Sequence, residues 1–476
     1  MTLDVYNTHM ELYPYEKGQL IALEDMFTAI DRYTLNEYPC GYLINEGKMY
    51  LPRGTPVAKL EMWAGVTATF KRKSDPKEPM SRKHSALYDP RNDLQEDSIK
   101  FLTTSTNHQM ALNLGTGIGK SYVTLASASQ ISERILIVTH NTGLKKQWIR
   151  TATDMFDYKS SELLDINGSD VMESIIQGDL PEADIYFVNH QTLRSYLSLY
   201  GGFQLNNFFK KLRIGIKIYD EAHLEFANIL LMDHFSNTNR TIYLTATFDR
   251  SDKTESKCFK TAFSTLDTFG EQESKEQTEK HIIYHAVYYK SRPDPYQMRQ
   301  INRFGNMTAA SFGAWAFLRD TNESGYDVIK LLVSKVKDLE GKILIFVPLI
   351  EAVDLVTKKL KLDFSDKSIG AYHSKVDRDE KESVLKKDII VSTIKSCGTG
   401  RDIPGLRVLI CLEPIASKVQ THQMLGRLRK YGTDMSTYFY DCIDVSIPPC
   451  NWYWKSRMKV IPNIVKQIIY LDLDSG

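Results

Sequence analysis

The sequence predicts an α/β protein with two parallel-sheet units in tandem and a small α+β unit before them. Three observations carry this expectation. Apolar strand-like runs alternate with helical stretches from about residue 86 to 250, the order that right-handed crossovers turn into a parallel sheet. The same alternation starts again near Tyr326. Residues 111–125, A-L-N-L-G-T-G-I-G-K-S-Y-V-T-L, join a strand to a helix through a glycine-rich bend. A chain of 476 residues is also too long for one core, given ~150 residues per domain.

The bulk numbers narrow the class. Sixty basic residues against 59 acidic ones give a net charge of +1, so any surface that attracts polyanions must be local. The six cysteines (Cys40, Cys258, Cys397, Cys411, Cys442, Cys450) are scattered without a C-x-x-C pair. That speaks against zinc and a disulfide framework and fits a reducing compartment. The start, M-T-L-D-V-Y-N, lacks a basic segment followed by an apolar run, and no stretch approaches the ~20 apolar residues of a membrane span. The expectation is a soluble cytoplasmic protein without a membrane partner.

Residues 1–85 read as a separate accessory unit. Residues 41–51, G-Y-L-I-N-E-G-K-M-Y-L, suit a hairpin around N-E-G, and residues 57–70 offer further β-like residues. Residues 71–83, K-R-K-S-D-P-K-E-P-M-S-R-K, suit either a solvated linker or a linker that touches phosphates. A helix follows over 88–102, with Gln95 either presenting its amide to a base or simply exposed. Residues 86–250 then form the first parallel unit, with strands at 134–139, 184–189, 214–219 and 241–247. Between the first two lies N-T-G-L-K-K-Q-W-I-R, where Lys145, Lys146 and Arg150 surround Trp148. It suits a solvated helix face with one core tryptophan, or phosphate contact beyond a strand end.

Residues 251–325 read as a connector or insertion, charged at first and then mixing arginines with aromatics over 291–304. That mixture suits single-strand stacking and a plain connector equally. Residues 326–476 form the second parallel unit, with strands at 342–347, 368–373, 388–392, 407–412 and 436–440. The tail from Asp441 should pack on this unit, with D-L-D-S-G frayed.

The chemistry concentrates in three places. Backbone N–H groups of a glycine bend and helix start can cradle phosphate, with Lys120 adding charge and Ser121 a hydroxyl for Mg²⁺. Leu114 breaks the strict G-x-x-x-x-G-K-[ST] template, so a plain glycine-rich turn also fits. Asp220-Glu221 ends a buried strand and suits a Mg²⁺ ligand followed by a base for water, although a surface or capping pair reads the same way. In the second unit, Arg427 on a helix could neutralise a γ-phosphate, or belong to a surface ion-pair network.

Taken in order, these stretches resemble superfamily 2 helicase-type ATPases of the D-E-A-H kind. The matching segments are Gln95, L-G-T-G-I-G-K-S, T-H-N-T-G-L-K-K-Q-W, V-N-H-Q-T-L, D-E-A-H and L-T-A-T. They continue with I-L-I-F-V-P, A-Y-H-S, S-T-I-K-S-C-G-T-G-R-D-I-P-G-L and Q-M-L-G-R-L-R-K. The resemblance covers about 88–440. It implies two RecA-like domains with ATP and Mg²⁺ in the cleft between them and nucleic acid crossing both. By that likeness Gln95, Gly117, Ile118, Gly119, Lys120, Ser121 and Tyr122 hold the nucleotide, and Ser121 and Asp220 hold Mg²⁺. Glu221 is the base, and His223 couples the site to Thr245 and Thr247. Gly400 and Asp402 link nucleic acid to nucleotide, while Gln423, Arg427 and Lys430 face the γ-phosphate. Asn141, Lys145, His190, Gln191, Thr393 and Lys395 are the expected nucleic-acid contacts. The family's second arginine falls on Lys430, with Arg429 one place earlier, and lysine matches phosphate geometry less well.

Within the superfamily, size and layout look most like phage UvsW-type branch-migration helicases, with poxvirus-type transcript-release helicases similar in layout. That likeness implies a monomeric DNA motor on forked, branched or single-stranded DNA, with residues 1–85 gripping duplex DNA. For a phage protein it implies the host cytoplasm. An RNA helicase or transcript-release ATPase and a nucleotide-dependent clamp are the alternative expectations.

Overall fold

The structure is a computed structural model. It describes the chain except residues 1, 16, 31–35, 46, 65–66, 116–117, 246–252, 271–279, 304–305, 320–321, 398–402, 430–435 and 474–476. The described chain divides into two compact units, Met1–Gln277 and Thr278–Gly476.

Unit 1 opens with a five-stranded mixed sheet in the order Leu43–Asn45, Lys48–Pro52, His9–Tyr13, Thr2–Val5, Thr69–Arg72. The expected hairpin is present, with Asn45 opposite Lys48. Residues 57–70 differ from expectation: Val57–Ala64 is a helix, and the strand starts only at Thr69. V-A-K-L-E-M-W-A lacks the alternation a strand needs, and its buried Leu60 faces the core from a helix.

The basic stretch 71–83 is tied into unit 1 along its length, while Lys71, Arg72 and Lys83 stay exposed. Thr69–Arg72 pairs in parallel with Thr2–Val5. Lys73 ion-pairs with Asp4 at 3.2 Å, and Lys77 donates to the Asn237 carbonyl. Arg82 forks onto Asp157 and Glu162, each at 2.7 Å. Lys73, Lys77 and Arg82 are thus engaged with the chain itself.

The main sheet of unit 1 has seven strands, all parallel. Its order is Leu163–Ile166, Ile185–Asn189, Ile135–Thr139, Ile216–Tyr219, Arg240–Thr245, Gln109–Asn113, Asp267–Phe269. The inner strands are buried on both faces, which is why they read as unbroken apolar runs. Unit 2 carries a second all-parallel sheet of seven. Its order is Ile369–Tyr372, Ile389–Ser392, Lys342–Phe346, Leu406–Cys411, Thr437–Asp444, Ile282–Tyr289, Gln467–Asp472.

The expected connector at 251–325 is shared out. Asp267–Phe269 edges the first sheet, whereas Ile282–Tyr289 sits inside the second, between Thr437–Asp444 and Gln467–Asp472. Residues 291–304 hold the helix Pro295–Ile301, started by an Asp294–Gln297 capping box. The tail packs on unit 2 as expected. It supplies the helix Pro448–Arg457 and the last strand, and Arg457 forms a buried bidentate pair with Asp441. Residues 474–476 lie outside the described residues. Among the described residues no helix is long and apolar enough to cross a membrane.

Candidate active site

The glycine loop leaves Gln109–Asn113 and enters the helix Lys120–Ile131. Gly119 takes φ 92° as the helix N-cap, a left-handed conformation that favours glycine. Its first intrahelical bond runs from Val123 N to Gly119 O at 3.0 Å. The N–H groups of Lys120, Ser121 and Tyr122 therefore open the helix without intrahelical acceptors. Lys120 Nζ donates to Leu114 O at 3.0 Å, folding its charge back over the loop. Gly117 lies outside the described residues.

Two neighbours brace this loop. Gln95 is buried; its Nε2 donates to Ile118 O at 2.6 Å and its Oε1 accepts from Arg91 N at 2.8 Å. The amide expected either at a base or in solvent is engaged with the chain at both ends. A Cβ on Gly119 would stand 2.6 Å from Gln95 Nε2, so the approach needs glycine. The buried Tyr122 donates its hydroxyl to Tyr88 O at 2.6 Å. Leu114, the departure from the strict template, is fully buried and packs against Gly270. Its side chain belongs to the core and leaves the loop free.

One strand away, Ile216–Tyr219 delivers Asp220 and Glu221. Asp220 is buried, and its carboxylate accepts from Trp148 Nε1 at 2.8 Å and from Glu221 N at 3.0 Å. Burial and the neighbouring Glu221 push its carboxyl above the usual range, while Trp148 and the Lys120 charge pull it back. Glu221 sits at φ 50°, a left-handed position uncommon for a non-glycine residue. Its Oε2 is buried without a hydrogen bond among the described residues and lies 3.5 Å from His223 Nδ1. His223 Nδ1 is also 3.1 Å from Thr245 Oγ1, at the end of Arg240–Thr245. The histidine thus meets Glu221 and Thr245 at one nitrogen; Thr247 lies outside the described residues.

This donor set suits Mg²⁺. A hard divalent cation takes carboxylate and hydroxyl oxygens, and an orphaned acid oxygen beside a second, reluctantly ionised carboxyl is what a cation or its water would satisfy. Asp220 with Ser121 would hold it.

The expected nucleic-acid residues of unit 1 divide. Asn141 caps the helix Thr142–Met155 through Leu144 N at 3.0 Å, and Gln191 is exposed. Lys145 is fully buried, 2.5 Å from Asp165 and bonded to Asn167. His190 is buried, stacks on Tyr219 at 5.6 Å and is depressed by burial to about 4, so it is neutral. Exposed phosphate contact does not suit these two, because their polar groups face inward.

In unit 2, Thr393 Oγ1 accepts from Ser396 N at 3.2 Å and caps the short helix Ile394–Cys397, on which Lys395 is exposed. Gln423 is buried on the helix Lys418–Leu425. Arg427 differs from its expected helical setting: it lies in the turn after that helix, with its N–H on Met424 O at 3.2 Å. Gly400, Asp402 and Lys430 lie outside the described residues.

Sequence reasoning missed the role of Trp148. Its motif was in view, but an indole facing the core and an indole donating to a carboxylate read alike in sequence.

A phosphate loop and a carboxylate pair at strand ends of one seven-stranded parallel sheet, followed by a second such sheet, define a P-loop ATPase with tandem RecA-like domains. The comparisons carry this further. Residues 80–250 match the family described as type III restriction enzyme, res subunit, and residues 326–432 match the helicase conserved C-terminal domain. By these two domains the chain is a superfamily 2 helicase, a helicase-type nucleic-acid-dependent ATPase.

Two solved structures, of Dbp5 and of an HsdR fragment, share the fold. Dbp5 of S. cerevisiae, bound to RNA and ADP BeF3, is 14% identical with a TM-score of 0.54, covering 80% of this chain and 90% of that one. A fragment described as an HsdR subunit of a type I restriction enzyme from Vibrio vulnificus is also 14% identical. Its TM-score is 0.55, and the match covers 94% of this chain and 78% of that one. UvsW of T4 is 17% identical over 99% of this chain and 100% of that one, with a TM-score of 0.39. No curated protein gives a significant match.

Proposed function

We propose that this chain is an ATP-driven DNA motor that remodels forked or branched DNA, working as a monomer in the cytoplasm. One observation carries the reading: Lys120 opens the helix after one strand of the sheet, Asp220 and Glu221 follow another strand of the same sheet, and Glu221 touches His223, which touches Thr245. A storage site for nucleotide needs the phosphate loop alone. A motor also needs a base for water and a contact that reports its state. In this reading Lys120 steadies the phosphates, Ser121 and Asp220 hold Mg²⁺, and Glu221 accepts the proton of the attacking water. Mg²⁺, when bound, neutralises charge on the phosphates and polarises them. Arg427 and Gln423 of unit 2 act on the γ-phosphate, with Arg429 and Lys430 beside them in sequence. Gly400 and Asp402 relay between nucleotide and nucleic acid. Asn141, Gln191, Thr393 and Lys395 contact the strand.

The first 85 residues serve duplex DNA in this reading. A cleft lined by Pro56 and Lys59 and by Ser256, Lys257, Lys260, Thr261 and Ser264 supports a polyanion there, with Lys257 also 3.7 Å from Asp25. ATP hydrolysis and strand displacement on single strands, forks, Holliday junctions, RNA duplexes and RNA–DNA hybrids test the proposal. Stimulation by RNA alone makes the chain an RNA motor. Turnover without displacement or branch movement on any substrate makes it a clamp.

A further inference from the structure

A fully buried ion pair lies behind the catalytic carboxylates, and the chemistry above does not use it. Lys217 Nζ is 2.5 Å from Asp233 Oδ1 and 2.5 Å from Ser236 Oγ. Tyr219 OH donates to the same Oδ1 at 2.8 Å, and Tyr243 OH donates to Oδ2 at 2.8 Å. Gln109 Nε2 in turn donates to Tyr243 OH at 2.9 Å. The two tyrosine rings stack at 5.7 Å. Burying two charges seldom adds stability, because desolvation offsets their attraction and apolar residues often do as well. A satisfied buried network does fix one arrangement of the elements that carry it.

Those elements are the ones that carry the site. Tyr219 immediately precedes Asp220, and Tyr243 stands two residues before Thr245. Gln109 opens the strand that runs into the glycine loop. Asp233 ends the helix Phe226–Asp233, which follows the turn Ala222–Leu224. The segment between Asp220 and Asp233 is therefore pinned at both ends, by Trp148 at one and by Lys217 and the tyrosines at the other. Glu221, at its left-handed φ, is held between the pins.

The far side of the network faces the N-terminal sheet. Thr8 Oγ1 donates to the carbonyl of Ser236, the residue whose hydroxyl takes Lys217. Asn7 N donates to Asn237 Oδ1 at 3.1 Å, and Asn7 Nδ2 donates to Thr238 O at 3.0 Å. His234 Nε2 lies 3.1 Å from Gly41 O. The turn at Asn7-Thr8 thus grips Ser236, Asn237 and Thr238, in the turn that follows the helix ending at Asp233.

We propose that Lys217 and Asp233 are positioning residues for the Asp220–Glu221 turn, and that the Asn7-Thr8 turn of the N-terminal sheet sets their position in cis. The accessory sheet then tunes ATP turnover whether or not it touches nucleic acid. The inference rests on the reading of Asp220 and Glu221 as the hydrolytic pair.

The test uses the full chain. Tyr219→Phe keeps the ring stack and removes one donor from Asp233; Asn7→Ala with Thr8→Val removes the two side-chain contacts of the grip, to Thr238 O and Ser236 O, without entering the network. Steady-state ATP hydrolysis is measured with saturating polynucleotide, alongside thermal unfolding. We expect kcat to fall about tenfold in each variant, with KM for ATP changed by less than about twofold, as for a group acting through the transition state. The combination should fall by less than the product of the two, because both act on one network. Folded variants with wild-type kcat would overturn the inference, as would effects that multiply fully or appear in KM alone. If Tyr219→Phe fails to fold, the Asn7/Thr8 variant decides by the same kcat criterion. A wild-type chain without polynucleotide-stimulated hydrolysis would instead sink the motor reading itself.

Discussion

Replacing Trp148 by Phe should loosen the hold on Mg²⁺ far more than it disturbs the fold. Trp148 is fully buried, and its Nε1–H reaches Asp220 Oδ2 at 2.8 Å. A hydrogen bond to a charged acceptor is worth about 1.5–3 kcal/mol, which converts to roughly 10–150-fold in an equilibrium constant. Removing a donor of this kind from a metal ligand typically costs about 10–100-fold in metal affinity. Phe retains most of the packing, so the unfolding midpoint should fall by only a few degrees.

The sign of the pH effect follows from the same contact. Burial and Glu221 already raise the Asp220 carboxyl, and Trp148 opposes them by stabilising the anion. Without the indole the carboxyl rises further, and the acid limb of the pH–rate profile moves to higher pH. ATP hydrolysis with saturating polynucleotide, titrated with Mg²⁺ at pH 6 to 9, reads both effects. A folded Trp148→Phe protein with a wild-type Mg²⁺ curve and acid limb would refute the argument and reduce the indole to core filling.

Other outcomes follow from the same geometry. Glu221→Gln should bind ATP normally and lose about 100-fold or more in hydrolysis, read by nucleotide binding beside single-turnover kinetics; normal turnover would remove Glu221 from the chemistry. Lys120→Ala should abolish hydrolysis and weaken ATP binding, since the ammonium over Leu114 is the loop's own charge; unchanged Kd would contradict this. Gly119→Ala meets both a positive φ, at about 1–2 kcal/mol, and Gln95 Nε2 at 2.6 Å. Adding Gln95→Ala should restore ATP affinity only in part, and full restoration would show that the backbone conformation carries no cost. Burial depresses His190 to about 4 and His234 to about 3. Each is neutral when folded and takes a proton below about 6.5 when unfolded, so stability is complete above that pH and is lost as pH falls toward 4 and 3. Urea midpoints between pH 7.5 and 4.5 should show this slope, and His234→Asn should flatten it.

The parallel sheets were legible because doubly buried strands are long apolar runs, and the glycine bend because it joins such a strand to a helix. Asp220 and Glu221 stood out only by their place in an ordered series of motifs, because a D-E pair at a strand end suits a surface or capping pair as well. What failed to read were side chains whose chemistry depends on a distant partner. Lys145 looks like its neighbours Lys146 and Arg150 in sequence, yet Asp165 and Asn167 draw it inward. Arg82 sits in a run that reads as solvent-facing, and its partners Asp157 and Glu162 come from another part of the fold. His190 follows a strand in a motif that suits a ligand contact, but it stacks on Tyr219, and no local pattern encodes that. The helix at Val57–Ala64 was hidden by β-prone Val and Trp in so short a segment.

The place of Ile282–Tyr289 in its sheet also sets a timetable. This strand is made early in unit 2, yet both its neighbours, Thr437–Asp444 and Gln467–Asp472, are translated far later in the chain. At about 5–20 residues per second, a ribosome holds it unpaired for about 7–30 seconds. During that interval an apolar strand with two open edges is available to a second nascent chain. Slow decoding between residues 290 and 437 should therefore lower the yield of this protein, as should slow decoding between Gln109–Asn113 and its own late neighbours Arg240–Thr245 and Asp267–Phe269 in unit 1.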